Sequence, residues 1–311
     1  MAIPTGTLTS SSTISNLVQT AYDQYVRMAL RSIPVMRALA DVKPVQQAMP
    51  GSSVVFSIYS DLSTATGTLT ETSDVSSVAL GNPSQVTVTL NEYGNAVTTT
   101  KKLNLTSFND VDAALADVIA YNAADSIDVV VANVLTGGTN VIYGGTATGA
   151  SGVTASGTLA VADIREAVTQ LRTNKAVPRI GELYAAYVHP RQSADLRAEA
   201  GTGGFQELTK YVDRTPFVAG SVGVIEGAYV VETPRVLSAS NGASPAVTLY
   251  KAVVAGREAL AEAQAADIST VIGPEIDALR RFRTIGWYYF GGFARLREAA
   301  LYRIETASSI S

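Results

Sequence analysis

Residues 183–196, LYAAYVHPRQSADL, change from a mainly apolar run to a mainly polar one at Pro190. This change indicates the fold class of the middle part of the chain. The apolar run before Pro190 predicts a buried strand from Leu183 to His189, because short continuous apolar runs are typical of strands inside a sheet. Pro190 marks a turn, and a short helix is predicted to continue through Asp195 and Leu196. A strand that leads through a proline turn into a helix is typical of an α/β region.

The stretches on either side extend this α/β pattern. A helix is predicted near Val161 to Arg172, because Ile164, Val168 and Leu171 fall on one of its faces. Strands are predicted around residues 222–225, 228–232 and 247–255. Together these segments predict a compact domain over roughly residues 158–255.

Residues 44–100 combine β character with a one-sided charge. Strands are predicted at Val54–Tyr59 and Val86–Leu90, and some twenty-five residues rich in Thr, Ser and Gly separate them. So long a connection is unusual inside a compact domain, so we expect a long hairpin that projects from the body. No Lys or Arg occurs between Lys43 and Lys101, whereas four acids do: Asp61, Glu71, Asp74 and Glu92.

A long helix is predicted from about Asn109 to Leu135. Ser107 or Asn109 can cap its start, and Asp110 and Asp112 in the first turn oppose its dipole favourably. A helix of that length spans about 40 Å. The glycine-rich stretch that follows, Gly137 to Gly157, has neither the lysine of a phosphate loop nor a dinucleotide-binding spacing, and we interpret it as a flexible connector.

The C-terminal stretch returns to strands. From Phe282 to Phe290, alternate residues such as Ile285, Trp287 and Tyr289 share one face. The same alternation from Ala294 to Ile304 places arginines together, and we interpret this as a sheet with a basic face; its members are Arg295, Arg297 and Arg303.

The composition indicates a surface that other molecules cover. Only 16% of the 311 residues are charged, 47% are hydrophobic, and the formal net charge is -4. Little material is therefore available to solvate a large free surface, which favours burial against other copies of the chain. No stretch is expected to be long and apolar enough to span a membrane, and no charged leader opens the chain, so we expect a soluble protein without a membrane partner. The acidic balance argues against a domain that grips nucleic-acid phosphates.

Rare residues leave almost no basis for catalysis. The absence of Cys excludes disulfides, thiolate metal sites and Cys nucleophiles, and a single His excludes two-His metal sites. His189 is interpreted as the end of a strand that caps the next helix. We therefore predict no catalytic, cofactor-binding or metal-binding residues.

The order of these segments resembles the tailed-bacteriophage major capsid protein family, whose Johnson fold is shared with encapsulins and herpesvirus capsid floors. An N-terminal arm and helix, a long hairpin, a long helix, an α/β insertion and a returning terminal sheet follow one another. The resemblance covers nearly the whole chain and is carried by four stretches: residues 13–37, residues 185–196, GSVGVIEGAYVVET at 220–233, and TIGWYYFG at 284–291.

The resemblance implies an α+β fold with the family's domains. Residues 1–43 would form the N-terminal arm and helix, and residues 44–100 the extended loop. Residues 101–157 and 256–311 would form the peripheral domain, with its spine helix at about 109–135, and residues 158–255 the axial domain. Some relatives crosslink through a lysine of the extended loop; residues 44–100 contain no lysine, so that reaction is chemically unavailable here.

The resemblance also implies a function without catalysis. The chain would assemble with itself into pentamers and hexamers of an icosahedral shell around packaged double-stranded DNA. It would form the virion capsid after assembly in the host cytoplasm. Because the chain begins directly with its arm, a separate scaffolding protein is expected, together with a portal. A decoration protein is a further candidate partner.

The uneven charge suggests where copies meet. We hypothesise that the acidic loop reaches the basic C-terminal face of a neighbouring copy. The residues involved would be Asp61, Glu71 and Asp74 on one copy and Arg281, Arg283, Arg295 and Arg297 on the other.

Three alternatives stay open at this point. An encapsulin-type compartment would share the fold and enclose a cargo enzyme. A tail-tube or adhesin-like β-protein is favoured by the Thr- and Gly-rich segments but not by the long helix. An enzyme would have to use His189 as its base.

Overall fold

A computed structural model describes residues 34–44, 51–59, 61–75, 77–106, 111–200, 223–243, 246–275 and 277–310. The expected N-terminal arm and helix lie outside these ranges up to residue 33, as do the proposed helix caps Ser107 and Asn109. The helices are α1 (Lys101–Thr106), α2 (Val111–Thr136), α3 (Val161–Thr173) and α4 (Pro190–Ala198). The strands are β1 (Ala40–Pro44), β2 (Ser53–Ile58), β3 (Ser84–Thr89), β4 (Asn91–Thr100), β5 (Val141–Tyr143), β6 (Tyr184–Val188), β7 (Val224–Ile225), β8 (Ala228–Glu232), β9 (Ser238–Ala239), β10 (Leu249–Ala255), β11 (Leu260–Ile272), β12 (Phe282–Arg295) and β13 (Leu301–Thr306).

A four-stranded sheet carries the long helix on one face. Its strand order is β1-β11-β12-β4, with β1 parallel to β11 and the other neighbours antiparallel. The alternation predicted for the terminal strand is confirmed, because Ile285, Trp287 and Tyr289 are buried in one cluster with Ile127 of α2. The Trp287 indole donates a hydrogen bond of 2.9 Å to the Asn122 side chain of that helix.

A larger sheet forms the α/β part of the molecule. Its order is β5-β13-β10-β6-β8-β7, and β9 adds to β10. The predicted helix is present as α3, with Ile164, Val168 and Leu171 fully buried against this sheet. The sheet also takes β5 and β13 from stretches that the resemblance assigns to the peripheral domain.

The expected hairpin is present, and along the chain it lies between β1 and β4 of the four-stranded sheet. β2 and β3 pair antiparallel from Ser53 opposite Thr89 to Ile58 opposite Ser84. The residues described between 59 and 82 are exposed. At the base, Val88 and Leu90 pack against Ala261 and Ala263 of β11, which anchors the hairpin to the four-stranded sheet.

Two predictions about the chain path are wrong. The glycine-rich stretch 137–157 is not a flexible connector, because it contains β5 and a fully buried Val153, and Gly144 packs closely against the Gly157 backbone. The strand predicted from Ala294 to Ile304 is broken, because a 3-10 turn at Glu298–Ala300 lets β13 leave β12 and join the larger sheet.

One expectation about membranes is also corrected. By length and composition, Leu115–Thr136 of α2 is apolar enough to cross a membrane. Ile119, Ile127 and Leu135 of this helix are buried in the core with the four-stranded sheet. Core packing therefore accounts for the buried face of this helix.

Candidate inter-subunit surfaces

The acidic loop is exposed along its whole described length, from residue 59 to residue 82. Asp61, Glu71 and Asp74 are all exposed. Asp74 accepts a 2.8 Å hydrogen bond from the Val75 backbone, a local turn contact only. Large apolar side chains of the same loop are 57–77% exposed, namely Leu62, Leu69, Val75, Val78 and Leu80. This combination of bare apolar and acidic groups is suited to burial against another molecule.

The four proposed arginines do not form one face. Arg281 and Arg283 lie at the start of β12, whereas Arg295 and Arg297 lie at and beyond its end. Twelve residues of strand separate Arg283 from Arg295, which corresponds to about 40 Å. The structure therefore offers two basic regions rather than one.

Most of these arginines already have a partner within the chain. The Arg281 Nε lies 2.6 Å from the Asp277 carboxylate, and the Arg297 Nε lies 2.7 Å from Glu258. Arg295 contacts Glu298 at 3.0 Å. These pairs are partly exposed, and exposed pairs contribute only about 0–1 kcal/mol each. A neighbouring carboxylate could therefore exchange with them at small cost.

Arg303 has a different role from the one that the alternation suggested. Its guanidinium donates to the carbonyl of Thr136 and, at 3.0 Å, to that of Gly138, just where α2 ends. Arg295 donates to the Val134 carbonyl at 3.0 Å. Two cations thus bind carbonyl groups at the C-terminus of α2, where the helix dipole favours positive charge.

A buried carboxylate fastens residues 35–37 to the long helix. Asp128 of α2 is fully buried and accepts hydrogen bonds from the backbone N–H groups of Val35, Met36 and Arg37 at 3.3, 2.6 and 3.1 Å. Burial raises the pKa of Asp128, and the three N–H donors oppose that rise. Sequence reasoning missed this site; the only signal was an acid inside the apolar stripe of a helix.

A second buried carboxylate holds the same segment from the sheet side. Glu262 of β11 is fully buried and pairs with Arg37 at 2.6 Å. The Tyr289 hydroxyl also donates to Glu262, at 2.9 Å. Burial beside Glu262 raises the pKa of Tyr289 far above its ordinary value, so the phenol stays protonated and keeps donating.

His189 caps a helix, as predicted. It occupies the N-cap of α4, and its Nδ1 accepts a hydrogen bond of 3.2 Å from the Arg191 backbone. Its ring stacks on Tyr250 at a centroid distance of 4.4 Å. Burial and the Arg191 charge lower the pKa of His189, which favours the neutral ring that can accept this bond. The imidazole is therefore used in local structure.

Acidic side chains converge at the start of α3. Asp163 accepts from the Ala160 backbone at 3.0 Å, and Glu199 accepts from Val161 at 2.8 Å. Burial, together with Glu166 and Glu199, raises the pKa of Asp163 to about 6. Among the residues that the structure describes, no three His, Cys, Asp or Glu side chains are arranged to hold a metal ion.

Comparison with known protein families gives one match over nearly the whole chain. A family model described as phage capsid protein matches residues 9–310. Comparison with curated proteins gave no match.

Solved structures of phage capsids have the same fold. The capsid of Ralstonia phage GP4 superposes with a TM-score of 0.75 at 17% identity, covering 94% of this chain and 96% of that one. The acid-stable capsid of Helicobacter pylori bacteriophage KHP30 gives 0.74 at 15% identity and 99% of both chains. The capsid of cyanophage P-SCSP1u gives 0.73 at 15% identity, with 95% and 94% covered.

Proposed function

The chain belongs to the phage capsid protein family, and from this premise we propose that it is the major subunit of an icosahedral shell, arranged in pentamers and hexamers around double-stranded DNA. The Johnson fold expected from the sequence is confirmed by the superposition on capsid structures over nearly the whole chain. The role is structural, and the proposal contains no catalytic step.

The superposition on phage capsid structures carries this proposal. It extends over 94–99% of the chain with TM-scores of 0.73–0.75. The exposed apolar side chains of the hairpin, such as Leu69 at 77% and Val78 at 68%, support burial against neighbouring copies.

Each of the domains proposed from the family would make a different contact between copies. The extended loop of residues 44–100 would reach a neighbouring copy, with Asp61, Glu71 and Asp74 near Arg281 and Arg283 or near Arg295 and Arg297. The axial domain of residues 158–255 would surround the capsomer axes. The peripheral domain of residues 101–157 and 256–311 would join capsomers.

The charge of the chain is compatible with loosely held DNA. A net charge of -4 does not support tight binding to phosphates, so the shell would enclose the packaged DNA without binding it tightly. Assembly would take place in the host cytoplasm with a separate scaffolding protein and a portal, and a decoration protein could add stability.

Electron microscopy of the purified chain, together with its assembly partners, tests the proposal. Closed icosahedral shells are expected. Open tubes would indicate a tail-type protein, and particles that never assemble would contradict the shell function. The contents of shells isolated from infected cells distinguish a phage capsid from an encapsulin-type compartment. Double-stranded DNA inside the shells would support the capsid, and a packaged enzyme would indicate the encapsulin.

A further inference from the structure

Strand β4 leaves one long edge of the four-stranded sheet open. Among the described residues no strand pairs with its outer side. Its register with β12 runs without a bulge from Asn91 to Thr100, and residues 94–98 are all exposed. A row of unpaired backbone groups of this length is a template for another strand.

The sequence of β4 carries few of the usual safeguards against such pairing. Natural edge strands are blocked by lysine, proline, bulges or short length. NEYGNAVTTT contains ten residues with no proline, no lysine and one charge, Glu92. The strand is therefore suited to pair with another strand.

One hydrogen bond identifies which backbone groups face outward. The N–H of Lys101, directly after β4, donates to the Arg281 carbonyl at 2.8 Å on the β12 side, so the N–H groups of even-numbered residues of β4 point outward. Accordingly, the Ala96 N–H donates to the side chain of its neighbour Asn95 at 2.9 Å. Because N–H groups alternate in direction along a strand, those of Gly94 and Thr98 point outward as well.

The charges at the two ends of β4 are opposite. Glu92 lies near the start, where the Tyr288 hydroxyl hydrogen-bonds to it. Lys101 and Lys102 follow the last residue of the strand and are exposed. About 30 Å of strand separates Glu92 from Lys101, so the two do not interact within one copy.

We propose that β4 pairs antiparallel with β4 of a second copy across a two-fold axis. This inference rests on the proposed shell function, since it supplies the second copy. Antiparallel pairing brings each Glu92 beside the Lys101 and Lys102 of the other copy, whereas parallel pairing would bring like charges together. A two-fold contact of this kind uses the same strand twice and closes on itself.

A charge exchange tests the orientation of the pair. E92K and, separately, K101E/K102E are each expected to reduce shell yield at least tenfold, whereas the triple variant E92K/K101E/K102E regains at least half of the wild-type yield. Y288F is the control, since it removes the hydrogen bond to Glu92 but no charge, and its yield is expected within twofold of wild type. Full yield from E92K, or a triple variant that stays folded without regaining yield, would overturn the proposal.

Hydrogen exchange tests the backbone contact directly. The amides of Gly94 and Thr98 are expected to exchange at least tenfold more slowly in assembled shells than in free subunits. Fast exchange in intact shells would overturn the β4 contact and leave the shell function standing. Protection already present in the free subunit would show that the chain covers this edge itself and would also overturn the contact. If wild-type chains form no shell at all, both the β4 contact and the proposed shell function are overturned.

Discussion

At the scale of single residues, the fold depends on a few acids placed where water does not reach. Asp128 joins residues 35–37 to α2, and Glu262 holds the same segment through Arg37. Neither site follows from sequence periodicity, because an acid in an apolar stripe has no recognisable partner until distant segments meet. The sequence did predict the His189 cap, because its partners are within three residues.

Replacing Asp128 by Ala is expected to lower the free energy of unfolding by about 2–4 kcal/mol, because three backbone N–H groups lose their acceptor in a buried site. Denaturant unfolding followed by the fluorescence of Trp287, the only tryptophan, measures the change. D128N is the matched variant. Its amide oxygen can still accept a backbone hydrogen bond, so its free energy of unfolding should fall clearly less than that of D128A. Equal losses for the two variants would show that the hydrogen bonds are not the cause.

Asp163 gives a pH dependence whose sign can be worked out. Its pKa is about 6 in the fold and about 3.8 when unfolded, so the folded state binds the proton more tightly. The cost of ionising Asp163 is therefore present in full above pH 6 and disappears as the pH falls toward 4. D163N should stabilise the protein by about 1–3 kcal/mol at pH 7.5 and not at pH 4.

Thermal unfolding of D163N and wild type across this range measures the effect. E182Q, which changes an exposed acid that does not contribute to the pKa of Asp163, serves as the control and should show a smaller difference. A D163N gain that stays constant from pH 4 to pH 7.5 would rule out ionisation as its source.

At the scale of elements, the sequence predicted those whose own residue pattern is sufficient. It missed several that depend on neighbouring strands, of which β11 is the longest. α2, α3, β6 and β10 lie close to their predicted positions because their apolar periodicity is strong. β11 was not predicted: LAEAQAADISTVI begins with a leucine and contains four alanines, one Glu and one Gln, all residue types that favour a helix. Pairing with β1 on one side and β12 on the other makes it a strand, and small alanines allow the hairpin base to pack on it.

The joint between the hairpin and the sheet is expected to tolerate no side chain at Gly292. A Cβ there would collide with the Thr89 carbonyl oxygen and press on Val88. G292A should displace β3, destabilise the chain by about 1–3 kcal/mol and speed amide exchange in β2 and β3.

Hydrogen exchange of the free subunit measures this change. G67A is the control, because a Cβ at Gly67 meets nothing within 4 Å in the exposed loop. Unchanged exchange in β2 and β3 of G292A would contradict the proposed anchoring of the hairpin.

At the scale of the whole molecule, charge is distributed unevenly along the chain, and the acidic hairpin also exposes large apolar side chains. The sequence predicted the acidic 44–100 segment and its exposure, because both follow from composition. It could not predict that β12 separates the arginines into two regions, since that depends on where β13 leaves the strand. The proposed contact between copies therefore has two candidate locations for the loop acids.

Charge reversal in the loop, D61K/E71K, is expected to reduce shell assembly at least tenfold without unfolding the subunit. Each exposed pair contributes little, but the same contact recurs in every copy. Sedimentation measures assembly, and circular dichroism measures folding. E182K/E275K changes the net charge equally at exposed acids elsewhere and should assemble normally. Normal shells from D61K/E71K would refute the role of the loop acids.

The absence of basic residues from the hairpin has a further consequence, for resistance to digestion. Exposed loop tips are the preferred sites of proteolytic nicking. Trypsin-like proteases require Lys or Arg, and the one such residue between Ala38 and Lys101 is Lys43, which Pro44 protects from cleavage. This exposed hairpin is therefore not cleaved by that class of protease, and a particle built from the chain would keep its hairpins intact in a trypsin-rich environment.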